Sequence, residues 1–123
     1  MSRGISLMAV AVVVFALPAF AQDRCGPSPS APVVPNGNTA SLAELNAAAT
    51  DIKAFVKTSD DWQHCLKADL DTQKDAAKGS RTPFDPKVEV AINAKGAANQ
   101  RDKDRVGKEY QSAAAAWNSA HPR

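Results

Sequence analysis

The stretch SLAELNAAATDIKAFVKTSDDWQHCLKADLDTQKDAAKG, residues 41–79, decides the fold. Ser41 followed three residues later by Glu44 is a capping box, in which each residue's side chain accepts an amide N–H that the start of a helix leaves unpaired. Beyond it, apolar side chains recur mostly at steps of three and four: Leu42, Leu45, Ala49, Ile52, Phe55, Val56, Trp62, Leu66 and Leu70. That period puts them on one stripe of a helix, with Ser59 as the polar residue inside it. No Pro or Gly interrupts the run before Gly79. Lys74 and Lys78 lie in the last turn, where cations favour the helix dipole, and Gly79 is the expected left-handed cap. The spacing predicts a helix over residues 41–78.

Downstream, Asp85 before Pro86 supplies an N-cap with proline at the first helical position, which opens a second helix over residues 86–119. Its stripe is Val88, Ile92, Asn99, Val106, Tyr110, Ala113 and Trp117. Asp104 with Lys108, and Arg105 with Glu109, are spaced for ion pairs on the outer face. Lys95, Gly96, Asn99, Asp102 and Gly107 weaken the middle, so a bend near Gly96 is compatible with the sequence.

The link of residues 80–84 is short, so the helices are antiparallel neighbours whose facing residue numbers add to roughly 158. In that register Leu70 meets Val88, Leu66 meets Ile92, Ile52 meets Val106 and Leu45 meets Ala113. Ser59 falls opposite Asn99, which predicts a hydrogen-bonded polar layer that fixes the register of a coiled-coil-like seam. With about 35 residues per helix the hairpin would be roughly 50 Å long.

Upstream, Pro27, Pro29, Pro32 and Pro35 with Gly26 and Gly37 remove amide donors and exclude a helix. Residues 22–40 therefore read as an extended, polyproline-like arm. Before it, Arg3 precedes an uncharged apolar run over residues 5–20, closed by Ala19, Phe20 and Ala21 ahead of Gln22 and Asp23. That order is a cleavable secretory signal peptide over residues 1–21. Pro18 and the cleavage pattern leave the run short of a membrane anchor, so no span is expected after cleavage. Gln22, Asp23 and Arg24 do not form the apolar and small sequence a lipid-modified Cys25 would need. The mature chain is then about 102 residues, one small domain, placed in the periplasm or secreted.

Two cysteines in an exported chain predict one disulfide, Cys25 to Cys65. Cys65 lies about 36 Å along the first helix from Ser41, and the step from Cys25 to Ser41 reaches about 50 Å in polyproline form. The arm must turn near residues 36–38, run back along the helix it precedes, lay Val33 and Val34 on the hairpin and shield Trp62. The fold class is therefore all-α: a long antiparallel two-helix hairpin over residues 41–119, with a Pro-rich arm clamped back by one disulfide and a tail at residues 120–123.

Fifteen basic against thirteen acidic residues give a formal net charge of +2, and loss of Arg3 with the leader leaves one less. The signs alternate along the first helix, which argues against nucleic acid as a partner. Asp69, Asp71, Gln73 and Asp75 imitate a calcium loop, but Lys74 stands where the turn needs Gly and Ser80 where a bidentate Glu is required. His64, one helical turn from Asp60 and Asp61, is a weak metal candidate without evident partners on the second helix. Ser41 and Ser59 serve as cap and seam residues, and neither C-x-x-C nor a Gly-rich phosphate loop is present. No cofactor and no enzymatic activity are expected. Trp62, Tyr110 and Trp117 either fill the core or form an interaction surface, and Trp117, near the open end, is the hardest for a hairpin to bury.

Cys25, the arm ending Pro35-Asn36-Gly37, then Ser41-Leu42-Ala43-Glu44-Leu45, Ile52-Lys53-Ala54-Phe55 and Trp62-Gln63-His64-Cys65-Leu66 resemble small uncharacterised exported proteins of Gram-negative bacteria. The resemblance covers most of the mature chain, implies the disulfide and the hairpin, and brings no activity with it. Residues 95–105 are more charged than that pattern. The expected function is a non-enzymatic envelope protein acting through protein contacts or self-association; the alternative is a small periplasmic module binding a metal or an apolar ligand.

Overall fold

The computed structural model describes residues 24–123. The signal-peptide reading of residues 1–21, and residues 22 and 23 of the arm, lie outside the described residues. Within them are two helices and no strand: α1, Leu42–Gly79, and α2, Pro86–Ala120. The predicted all-α hairpin with its clamped arm is the architecture observed.

Both helix starts follow from their caps. Ser41 is extended, its hydroxyl accepts from Glu44 N–H at 3.1 Å, and a Glu44 carboxylate oxygen accepts from Ser41 N–H at 2.7 Å. These hydrogen bonds, the one from the Ser41 backbone first, hold the Glu44 carboxyl below its ordinary range. Asp85 accepts from Lys87 N–H at 2.9 Å, and Pro86 follows where its missing N–H costs nothing. α2 is one continuous helix through Gly96 and Gly107.

The end of α1 departs from the sequence reading. Gly79 stays helical, and Arg81 takes the left-handed conformation with φ 55°. Ser80 is still in right-handed helical geometry and its hydroxyl donates to Ala76 C=O at 3.0 Å, which carries the helical path past Gly79. Thr82 N–H then reaches Ala77 C=O at 3.0 Å and Arg81 N–H reaches Lys78 C=O at 3.2 Å. This pair of bonds is the Schellman motif, closing carbonyls that the last turn would leave open.

The helices pack in the predicted register. Asn99 donates from Nδ2 to Ser59 Oγ at 3.0 Å, with Ser59 at 0% and Asn99 at 1% exposure. Gln63 Nε2 donates to Asn99 Oδ1 at 2.8 Å, so both ends of the buried amide are engaged. Lys74 with Glu89 at 2.8 Å and Lys103 with Asp60 tie the flanks. The buried line of α1 is Leu45, Ala48, Phe55, Ser59, Trp62, Leu66 and Leu70. It uses Ala48 rather than Ala49, and Leu42 stays 53% exposed, because the seam begins one turn inside the helix end. On α2 only Asn99, Val106 and Ala113 are buried. Outside, Arg105 pairs with Glu109 at 3.0 Å and Asp102 at 3.3 Å, which raises its pKa, Glu109 acting most. Asp104 accepts from Gln100 rather than meeting Lys108.

The arm returns along the hairpin. Asn36 C=O accepts from Ala40 N–H at 2.8 Å and Thr39 N–H at 3.1 Å, and its side-chain oxygen accepts from Asn38 N–H at 3.0 Å, which makes the turn. Gly37 is buried there, and a Cβ on it would lie 1.9 Å from the Ala113 carbonyl oxygen, so only glycine permits this approach. Val34 packs toward Ala40, Leu45 and Ala113. Val33 does not lie on the hairpin but is 90% exposed, since neighbouring side chains of an extended segment diverge. At the far end Cys25 and Cys65 are joined, Cα atoms 5.7 Å apart, and Trp62 Nε1 donates to Gly26 C=O at 3.1 Å. Closing 40 residues of chain contributes about 4 kcal/mol through the unfolded state.

Candidate functional site

The three aromatic candidates do not form one surface. Trp62 is 6% exposed, lies under the arm and donates its indole N–H to Gly26, so it is withdrawn from any contact surface. Tyr110 and Trp117 are half-buried beside Ala40, Leu45 and Ala113, with Val34 in the same group. Trp117 also stacks on His121, ring centroids 4.3 Å apart, while His121 Nδ1 lies 2.9 Å from Trp117 C=O. The arm's turn and His121 close over the open end, so Trp117 is better covered than a hairpin alone would allow. Its indole N–H is buried and meets no acceptor among the described residues. Gly37 was the sequence signal for this closure: a glycine between two asparagines marks a tight backbone turn, although not what it touches.

The large apolar side chains left in water are elsewhere. Val33 on the arm is 90% exposed, Val90 on α2 68% and Leu42 at the start of α1 53%.

His64 is exposed on α1, and its two acidic neighbours are bound to lysines in different directions. Asp60 takes Lys103 of α2, and Asp61 takes Lys57 at 2.7 Å along its own helix. The Lys57 hydrogen bond and charge hold the Asp61 carboxyl below its ordinary range, with a smaller contribution from His64, and Asp61 in turn raises Lys57. No group of three or more His, Cys, Asp or Glu side chains able to hold a metal ion occurs among the described residues. The calcium-like acids are helical and separately engaged: Asp69 accepts from Gln73 at 2.8 Å and faces Arg24 at 3.7 Å, while Asp71 pairs with Lys67 at 2.9 Å. Ser41 is a cap and Ser59 is sealed in the seam, so neither hydroxyl is placed as a nucleophile.

Two open grooves remain of interest. One runs between the arm at residues 34–38 and the face of α2 carrying Lys108, Ser112 and Ala116. The other lies at the turn, lined by Lys74, Ala77, Lys78, Arg81, Pro83 and Phe84, with Lys74 Nζ 5.8 Å from the centre of the Phe84 ring. No helix among the described residues is long and apolar enough to cross a membrane. Comparison of the chain with protein families, curated proteins and solved structures gives no match.

Proposed function

We propose that the chain works outside the reducing cytosol, in the periplasm or beyond the cell, as a non-enzymatic contact module that binds another protein or a second copy of itself. The observation that carries this reading is the Cys25–Cys65 bond, because a disulfide holding a structural element persists in oxidising compartments and is rare in the cytosol. The apolar leader of residues 5–20 and the resemblance to small exported proteins of Gram-negative bacteria point the same way. Val33 on the arm, with Val90 and Leu42 on the helices, are the exposed large apolar groups among the described residues available to a partner.

Expression with its own leader in a Gram-negative host tests the location. The mature protein is expected outside the inner membrane, shortened by about 21 residues as signal-peptide cleavage requires. Its intact mass should carry the two-hydrogen deficit of one disulfide. Retention of an unprocessed, reduced chain in the cytosol would overturn export. Sedimentation over a concentration series, with Val33→Ser as comparison, tests self-association. A thermal-shift series with zinc, copper and apolar compounds separates the contact reading from a ligand-binding module, which predicts stabilisation by one of them.

A further inference from the structure

The turn end combines strain, charge and an apolar floor. Arg81 sits in the left-handed region at φ 55°. That conformation is sterically costly for an L-residue, and glycine there would carry no such cost. The Schellman motif therefore requires a left-handed residue at this position, but not an arginine.

What arginine adds is a third cation on one groove. Lys74, Lys78 and Arg81 line it together with Ala77, Pro83 and Phe84. Lys87 follows in the first turn of α2. Lys74 is engaged with Glu89, whereas Lys78, Arg81 and Lys87 have no carboxylate partner among the described residues. Of the nearby acids, Asp85 is committed to capping α2 and Asp75 is exposed on α1. Phe84 is half-buried beside these cations, and residues 80–83 are exposed.

We propose that the turn end of the hairpin is a docking tip for a lipid bilayer carrying net anionic phospholipid headgroups. The cations meet the headgroup phosphates while Phe84 and Pro83 lean toward the acyl boundary, the order of polarity found in a membrane interface. The placement at the end of a rod suits a flat surface, which the tip can touch without any other part of the molecule following. An acidic peptide would need walls to lie between, and this groove is open. Each cation near an anionic surface contributes about 1 kcal/mol, roughly fivefold in binding. Docking of this kind is peripheral and stands apart from whether the chain is exported.

Co-sedimentation of the disulfide-intact protein with vesicles is the test. Binding is expected to vesicles of phosphatidylglycerol and phosphatidylcholine, not to phosphatidylcholine alone, and to fall with added salt. Arg81→Gly should weaken binding roughly fivefold while raising thermal stability, and Lys78→Gln should weaken it by a similar factor. Arg81→Lys should keep most of the binding. Because the glycine variant relieves strain, lost binding cannot be put down to misfolding. Equal pelleting with both vesicle types, or unchanged binding of Arg81→Gly, overturns the proposal. So does affinity for a soluble acidic peptide without affinity for anionic vesicles.

Discussion

The two halves of the hairpin are built from similar residues and are packed differently. Toward the free helix ends the arm adds a third layer, fixed at Cys65 and Trp62 on one side and at Ala113 on the other. Of the three buried residues of α2, Val106 and Ala113 lie in that half and Asn99 stands near the boundary. Toward the turn, Val88 and Ile92 remain half-buried although they belong to the same stripe. Two helices in contact seal only the line between them; a third element is needed before the flanks count as core.

Removing the third layer is the severest way to break this contrast. Cys25→Ser with Cys65→Ser should cost about 4 kcal/mol in chemical denaturation. Amide exchange should rise first in the arm and around Trp62, and an even loss along both helices would contradict the comparison. Gly37→Ala attacks the other anchor, where a methyl group would meet the Ala113 carbonyl, and should cost about 1–3 kcal/mol. Its counterpart in the thin half behaves oppositely. A Cβ on Gly96 would lie 4.0 Å from Leu66 Cδ1, an ordinary contact, so Gly96→Ala should stabilise by up to about 1 kcal/mol through helix propensity.

At the boundary between the halves, Asn99→Ala leaves the Ser59 hydroxyl and Gln63 amide without their partner, and should cost about 1–3 kcal/mol. Ser59→Ala with Asn99→Leu should recover much of that loss, read by a double-mutant cycle, while relaxing the register.

The smallest effect is that of pH. The Glu44 and Asp61 carboxyls are held below their ordinary values of 4.5 and 3.8 in the folded protein. Their contribution is therefore complete above those values and fades as pH falls through the lower folded ones. Thermal melts should show a slight decline on acidification, smaller in Glu44→Gln, whose side chain keeps the capping bond without titrating.

The helices, the register and the disulfide were legible because each rests on a local or periodic signal. Ser41 with Glu44 marks one start, Asp85 with Pro86 the other, and Ser59 and Asn99 interrupt their stripes at matching heights. The open end was not legible for the same reason. Gly37 against Ala113 and Trp117 beneath the arm are contacts between chain segments far apart, and period carries no record of them. Trp62 could be read as shielded once the disulfide was assumed, whereas the half-burial of Trp117 could not. The left-handed residue was misplaced at Gly79 because glycine is the usual choice, and two further residues in right-handed geometry, Gly79 and Ser80, passed the requirement to Arg81.

Gly37 lying on the carbonyl of Ala113 joins the beginning of the described chain to its last helical turns. As the polypeptide emerges from a ribosome or a pore, the start of the arm can be seated once Cys65 and Trp62 are out, but the turn at Gly37 has no seat until Ala113 follows. Removing α2 from Ala113 onward would leave the turn at Gly37 without its seat, while the disulfide and the Trp62 bond would still hold the start of the arm.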